Sequence, residues 1–580
     1  MSNTSYLDSL RYMPRHILLL LIPFKFMLAV AAACAVVLSC EKPETPQDDP
    51  KDPTQEQPET PGEEEEEPAP EPTLEVSLTE LAFEAAAGEA TFTVTTNQDW
   101  TAATEAAWIT LDPASGAAST EAATVKVTAA ENTVTEARTA TVTVTAGELT
   151  KTITVTQAAA IPQPDGTEAN PYLVSDAATL KGMSDLLVAN ATTYFKLTAN
   201  IDLAGAEWTP ICAAESDEKD AVAKPVALNG NGYKVTNFTG ANGLFSNLNG
   251  SVENLTIDGA NITDAKTAVG VLANKVTGSV AVKNVTITNS SIVSTVGEAG
   301  GLIGNLQNGT VENVSVSCSV SGTQQLGGLL GVIYGGTVKD CVSSGDVTGA
   351  NYYIGGLVGY IKAGTLQNCA ASGNVTSAST AYSRVGGLVG QIDNATITGC
   401  HATGNVKGDG HYCGGFIGVC VTGATDVKQS YATGNITMPS TVNKSGGAGF
   451  IGTIESGNIT VADCYSTGAI TAHRWSAAFI GRASAGTLKV TNCYSKSTCT
   501  FTQPENCGAL LGELNAKTTM TYSGVVVWNL SNLALFVRPD VTAAPEGNYY
   551  GTEGTISEKA KAFGWDTTIW DLSKDDPTLK

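Results

Sequence analysis

Between residues 74 and 158, apolar and polar side chains alternate, as in Thr91-Phe92-Thr93-Val94-Thr95, Thr124-Val125-Lys126-Val127, Thr141-Val142-Thr143-Val144 and Thr152-Ile153-Thr154-Val155. This alternation predicts half-buried strands, with one face on a core and the other in solvent. Gly, Asn, Pro and Asp separate the runs at the spacing of a β-sandwich. Phe83, Phe92, Trp100 and Trp108 are the large aromatics of the stretch and are expected to pack its core.

From 164 to 545 the pattern becomes a repeat. Gly-Gly-apolar-apolar-Gly stands at Gly300–Gly304, Gly327–Gly331, Gly355–Gly359, Gly386–Gly390 and Gly414–Gly418. Looser copies end at Gly452, Gly481 and Gly512. From Gly304 onward, successive last glycines lie 27, 28, 31, 28, 34, 29 and 31 residues apart. A second element follows each copy and ends on one apolar or small position: Leu255, Val285, Val314, Cys341, Cys369, Cys400, Ser430, Cys464 and Cys493. Repeats this short cannot bury a core alone, so neighbours must stack. One inward position per repeat, carried on strands, predicts a parallel β-helix. Nine such positions imply about nine coils, roughly 40–45 Å at ~4.8 Å per coil. The position before the apolar one is Asn254, Asn284, Asn313, Asp340, Asn368, Gly399, Gln429, Asp463 and Asn492. Stacked amides there are expected to bond coil to coil as a ladder.

The fold class is therefore all-β, an immunoglobulin-like β-sandwich at 74–158 followed by a parallel β-helix solenoid at 164–545. Ser175 is expected to cap a helix over 176–189 whose Leu180, Met183 and Leu187 cover the first coil. Trp565, Ile569, Trp570 and Leu572 are expected to form a closing cap within 546–580.

The ends of the chain point to export. Arg11, Arg15 and Lys25 flank an apolar run from Phe26 to Ser39, and Cys40 follows. Val37-Leu38-Ser39-Cys40 resembles a lipobox, which implies a signal peptide over 1–40 and lipidation at Cys40. The alternative is a retained anchor over 17–39, long enough to span but interrupted by Lys25. Residues 41–73 hold nine prolines and 13 carboxylates against two lysines, a local charge of −11 out of a total of −25. Such a segment cannot bury a core and is expected to be an extended tether.

Two family resemblances follow from these residues. Trp100, the run Trp108-Ile109-Thr110-Leu111-Asp112-Pro113-Ala114-Ser115-Gly116, the pair Asn132 and Arg138, and the closing Val155-Thr156-Gln157 resemble a BACON domain, an immunoglobulin-like module of exported Bacteroidetes proteins. That resemblance implies carbohydrate binding or, since so few aromatics are spare, a spacer. The glycine motif resembles the GLUG repeats of bacterial surface proteins. Phe450-Ile451-Gly452 and Phe479-Ile480-Gly481 depart from it, because Ala448, Ala477 and Ala478 replace glycines, which puts the tightness of those bends in question.

Chemistry-bearing residues are sparse. Net charge argues against a nucleic-acid partner, which needs clustered Lys and Arg. In the solenoid the only adjacent acidic pair is Asp217 and Glu218, in a polar loop, and His401, His411 and His473 stand in no catalytic spacing. No catalytic residue, metal site or cofactor is assigned. Thirteen cysteines include no CxxC pair; five in one register read as an inward column of free thiols or as disulfides between coils. After the cysteine position come His401, Tyr431, Tyr465 and Tyr494, which alternation points away from the core. They are the candidate binding residues, for a glycan or a host-surface ligand. The expected protein is a monomeric, outer-membrane, surface-exposed lipoprotein, adhesin-like or glycan-contacting. A spacer without a ligand and a polysaccharide-processing enzyme are the alternatives.

Overall fold

The computed structural model describes residues 70–211, 223–266, 268–380, 383–438, 446–504, 507–528, 533–536 and 548–580. The leader with Cys40, the tether to residue 69 and the loop of Asp217 and Glu218 lie outside the described residues.

Two sheets share the first apolar core. One runs in the order Leu74–Val76, Gly88–Thr96, Ser119–Ala129, Ile109–Asp112, with every pair antiparallel. The other orders Glu80–Phe83, Leu149–Gln157, Arg138–Ala146, Trp100–Ala103 and Ser115–Gly116, with the first pair parallel. The inward members of the alternating runs, Phe92, Val94, Val125, Val127, Val142, Val144, Ile153 and Val155, are buried together with Trp100. Trp108 is only partly buried, with the Arg138 guanidinium 4.4 Å above its ring. A polar network closes one end. Arg138 Nε donates to Gln157 Oε1 at 2.9 Å, Gln157 Nε2 donates to Ala130 O at 3.0 Å, and Asn132 Nδ2 donates to Ala158 O at 2.8 Å. Carbonyls at the sheet end are satisfied in this way.

The second part is a parallel solenoid in which each strand pairs in register with the strand one coil earlier. One face is an eleven-stranded parallel sheet from Phe245–Leu248 to Ala534–Phe536. That makes about eleven coils rather than nine. The columns continue one coil further at Gly524 and Val525, the equivalents of Asn492 and Cys493, with Gly524 at φ 63°. Leu255, Val285, Val314, the five cysteines and Ser430 form a fully buried inward column. The cysteines are free. The thiols of Cys341, Cys369, Cys464 and Cys493 donate to the carbonyls of Lys339, Gln367, Ala462 and Thr491, two residues back, at 3.1 to 3.2 Å. The same thiols also approach carbonyls one coil earlier, at 3.5 to 3.7 Å.

The position before that column has a stricter cause than the amide ladder. Asn254, Asn284, Asn313, Asp340, Asn368, Gly399, Gln429, Asp463 and Asn492 all have φ between 49° and 68°. A left-handed turn residue is required in every coil, and Asn, Asp and Gly tolerate that backbone best. The ladder is present as well: Asn284 Nδ2 donates to Asn254 Oδ1 at 2.9 Å, Asn313 to Asn284 at 2.7 Å, and Asn368 to Asp340 at 3.0 Å. A second ladder was not anticipated. The backbone N–H groups of Asn374, Asn405, Asn435 and Ala469 donate to Asp346, Asn374, Asn405 and Asn435 one coil earlier, at 2.8, 3.2, 3.0 and 2.9 Å.

The glycine motif marks a close approach. A Cβ at Gly386 would lie 1.9 Å from the Val389 carbonyl oxygen. Where Ala448 and Ala477 take that place, the seven-stranded sheet ends and only the single bridges Ala448–Ala477 and Ala477–Gly508 continue it. The helix beside the first coil spans Ala177–Leu186, shorter than expected, and its cap is Asp176 rather than Ser175. Asp176 Oδ1 accepts from Thr179 N at 2.8 Å while Thr179 Oγ1 accepts from Asp176 N at 3.1 Å, a reciprocal box that starts one residue later. Leu180, Met183 and Leu187 are buried as expected.

Two predictions follow from the columns. Asn368→Val should lower the unfolding free energy by about 1–2 kcal/mol through left-handed strain, and Asn368→Gly by about 1 kcal/mol or less through the lost ladder bond alone, measured by denaturant titration. Burial pushes the thiols of Cys413 and Cys420 up to about 12, so a thiol reagent at pH 8 should label these two only after unfolding.

Candidate ligand-binding faces of the solenoid

His401, Tyr431, Tyr465 and Tyr494 occupy one register position on consecutive coils. Their rings stack with centroids 4.8 Å apart at each step and interplanar angles of 6°, 7° and 4°. The stack lies outside the solenoid core, as alternation requires, but the expectation that it meets solvent fails at its distal half. Tyr465 is 8% and Tyr494 2% exposed. They belong to a separate apolar cluster with Val526, Ile556, Ala560, Trp565, Trp570 and Leu572. Trp570 sits 6.1 Å from the Tyr465 ring and 6.0 Å from the Tyr494 ring. Tyr494 Oη donates to Pro577 O at 2.9 Å, Trp570 Nε1 donates to Asp463 Oδ1 at 3.2 Å, and Lys496 pairs with Asp576 at 2.6 Å. The helix Ile556–Ala562, started by a Thr555–Glu558 capping box, brings the tryptophans there. The C-terminal segment thus covers the tyrosine flank, because a row of aromatic side chains left in water costs more than the chain ordering needed to bury it. His401 and Tyr431 remain half-buried. Burial holds the phenols of Tyr465 and Tyr494 well above their usual range and lowers His401.

A different face carries the polar and aromatic groups a ligand needs. On the outer side of the eleven-stranded sheet, Val332, Tyr360, Gln391, Val419, Thr453, Arg482 and Glu513 follow one another coil by coil. Tyr360 Oη donates to Asp393 Oδ2 at 2.5 Å, and Gln391 Nε2 donates to Asp393 Oδ1 at 3.1 Å. Arg384 donates to Gln391 Oε1 and, at 3.0 Å, to Glu455 Oε1. Its guanidinium lies 5.4 Å over the ring of Tyr353, which itself stacks on Tyr360 at 5.6 Å. Tyr352 is exposed and meets Tyr353 edge-on at 4.9 Å. Further along, Trp475 lies under Arg474 and Arg482 at 4.2 and 5.3 Å, and Arg482 pairs with Glu513 at 2.5 Å. The repeat does not single these residues out, because their identities change from coil to coil while the glycines stay fixed. The available signal stands two residues before each motif: Gln325, Tyr353, Arg384, Tyr412 and, before the alanine copy, Trp475.

Among the described residues no group of three or more His, Cys, Asp or Glu is placed to hold a metal ion. His411 and His473 are buried in separate coils.

Fold and faces together define an all-β protein in two parts, small sheets around one core and then a parallel β-solenoid. Comparison with known families gives those parts their names. Residues 98–158 match the family described as "BACON: Putative binding domain, N-terminal". Residues 322–348, 350–376 and 381–407 match the GLUG motif. The chain carries a BACON domain followed by GLUG motif repeats. It is 32% identical over 166 residues to halomucin of Haloquadratum walsbyi, which covers 26% of this chain and 2% of halomucin's length. Among solved structures, a Bacteroides ovatus GH5 xyloglucanase in complex with a XXXG heptasaccharide aligns at 26% identity and TM-score 0.15, over 21% of this chain and 26% of that one. A "putative immunoglobulin A1 protease" from Bacteroides ovatus aligns at 15% identity and TM-score 0.25, over 72% of this chain and 94% of that one.

The covered tyrosines have a measurable signature. Tyr494→Ser should cost about 3–5 kcal/mol, where His401→Ser costs little. The raised phenols favour the protonated, folded form, so stability is full below their usual value of 10.0 and falls as pH rises above it. Thermal melts from pH 8 to 11 should show that loss, and Tyr494→Phe should reduce it.

Proposed function

We propose that the protein is a non-catalytic, lipid-anchored surface protein whose solenoid contacts a glycan. The observation that carries this reading is the connected set Tyr353, Tyr360, Asp393, Gln391 and Arg384 on the outer face of the eleven-stranded sheet. Ring faces take the apolar faces of sugars, while carboxylate, amide and guanidinium groups fixed beside them meet hydroxyls in defined directions. Held by one another before any ligand arrives, these side chains lose little freedom on binding. The BACON domain serves as a spacer, since Trp100 is buried and Trp108 packs partly against the same core. Cys40 tethers the mature chain to the outer membrane through the acidic, proline-rich segment, and the protein works as a monomer without a cofactor.

Two measurements test this. Mass spectrometry of the membrane fraction should find an acylated N-terminal Cys40, and Cys40→Ala should abolish acylation and maturation; an unacylated chain that stays with membranes after high-salt washing would place the anchor in 17–39 instead. On a glycan array the soluble mature chain should bind, and Tyr360→Ala with Gln391→Ala should remove the signal while circular dichroism is unchanged. Absence of binding to any glycan would leave the spacer reading.

A further inference from the structure

The residues two before each glycine motif form a column of their own. Backbone pairing aligns Gln325, Tyr353, Arg384, Tyr412, Gly446 and Trp475 on six successive coils. Aromatic side chains therefore recur on every second coil, at Tyr353, Tyr412 and Trp475, with Arg384 and the side-chain-free Gly446 between them. Coils are 4.8 Å apart in the neighbouring tyrosine stack, so these rings are separated by about twice that. They are too far apart to cover one another, unlike the column ending in Tyr494.

Their backbone says the same in another way. Tyr353, Tyr412 and Trp475 have φ of 66°, 61° and 53°. The other left-handed column uses Asn, Asp, Gln and Gly, as that conformation demands. The ring-bearing column is also left-handed at Glu298 and Gln325, but at Tyr353, Tyr412 and Trp475 the same conformation carries bulky rings, none of which packs in the solenoid core. Left-handed residues of an unfavourable type concentrate where ligands are held. Two guanidiniums of the face are also answered from within: Arg384 by Glu455, and Arg482 by Glu513. The chain as a whole has a net charge of −25, which disfavours an acidic polymer.

We propose that this column is the seat of a neutral, linear, extended glycan with equatorial linkages, lying along the solenoid axis and stacking one sugar in two on Tyr353, Tyr412 and Trp475. A pyranose in such a chain advances by about the rise of one coil, so alternate sugars present the same face at alternate coils. Arg384 and Gln391 meet the hydroxyls between the first two platforms. The proposal rests on the glycan reading above and adds the chain geometry and the residues that set it.

Titration of the full mature chain with β-1,4-linked gluco- and xylo-oligosaccharides tests it. Affinity should rise with length and level off at about five or six units, the span from Tyr353 to Trp475. Soluble α-linked glucan and chondroitin should not compete. Tyr412→Asn should weaken binding by at least about tenfold while leaving the melting temperature unchanged or raised, because Asn suits the left-handed backbone. Tyr431→Ser, on the other flank, should leave binding unchanged. A lower melting temperature for Tyr412→Asn would make the ring structural and overturn the proposal. Array binding confined to α-linked, branched or acidic glycans would overturn this geometry and keep the glycan reading; no glycan binding at all would overturn both.

Discussion

Parallel strands stacked in register put each residue directly on its counterpart one coil away, and the solenoid depends on that. Ring centroids 4.8 Å apart on the outer flank and 4.7 to 5.0 Å apart in the core, at Phe416, Phe450 and Phe479, measure this spacing directly. Any property of a position is therefore multiplied along the axis. A small apolar side chain becomes a thiol column, an amide becomes a ladder, and a glycine becomes a groove into which the next carbonyl fits. Charge is multiplied too, which is why it is excluded from the inward columns and paired where it stands outside, as between Glu312 and Lys339.

Two columns share the left-handed backbone and differ in everything else. In one, Asn and Asp relieve the backbone and bond to their neighbours, so conformation and side chain agree. In the other, Tyr353, Tyr412 and Trp475 disagree with their conformation. Local consistency is the ordinary condition of a folded sequence, and departures from it gather at working surfaces. The same contrast separates the two aromatic rows. Consecutive rings at 401 to 494 close on themselves and are roofed, whereas alternate rings at 353 to 475 stay apart and half-buried.

The C-terminal segment explains why one flank does not serve as a surface. Trp565, Trp570 and Leu572 bring enough apolar area to bury Tyr465 and Tyr494, and the Trp570 and Tyr494 hydrogen bonds satisfy the polar atoms enclosed with them. An exposed stack of that kind would otherwise invite association with other chains. In the BACON domain the closing network of Asn132, Arg138 and Gln157 does comparable service for backbone carbonyls at a sheet end.

How much of this was legible follows from what periodicity can encode. The alternating runs placed the sandwich strands, and the repeat placed the inward column, the amide ladder and the glycine bends, because a fixed spacing in sequence becomes a fixed position on every coil. The tyrosines' direction away from the core was legible for the same reason. Their covering was not: the segment that roofs Tyr465 and Tyr494 lies beyond the repeats, and its docking obeys no period. The face around Tyr353, Tyr360, Asp393 and Arg384 was hidden for a related reason, since its members come from different phases of different repeats and meet only once coil register is set. The choice of Asp176 over Ser175 as helix cap was decided by hydrogen-bond geometry between adjacent candidates. Sequence by itself determined which residues share a column; the tertiary structure decided which columns meet water, because that depends on packing between segments that the repeat does not relate.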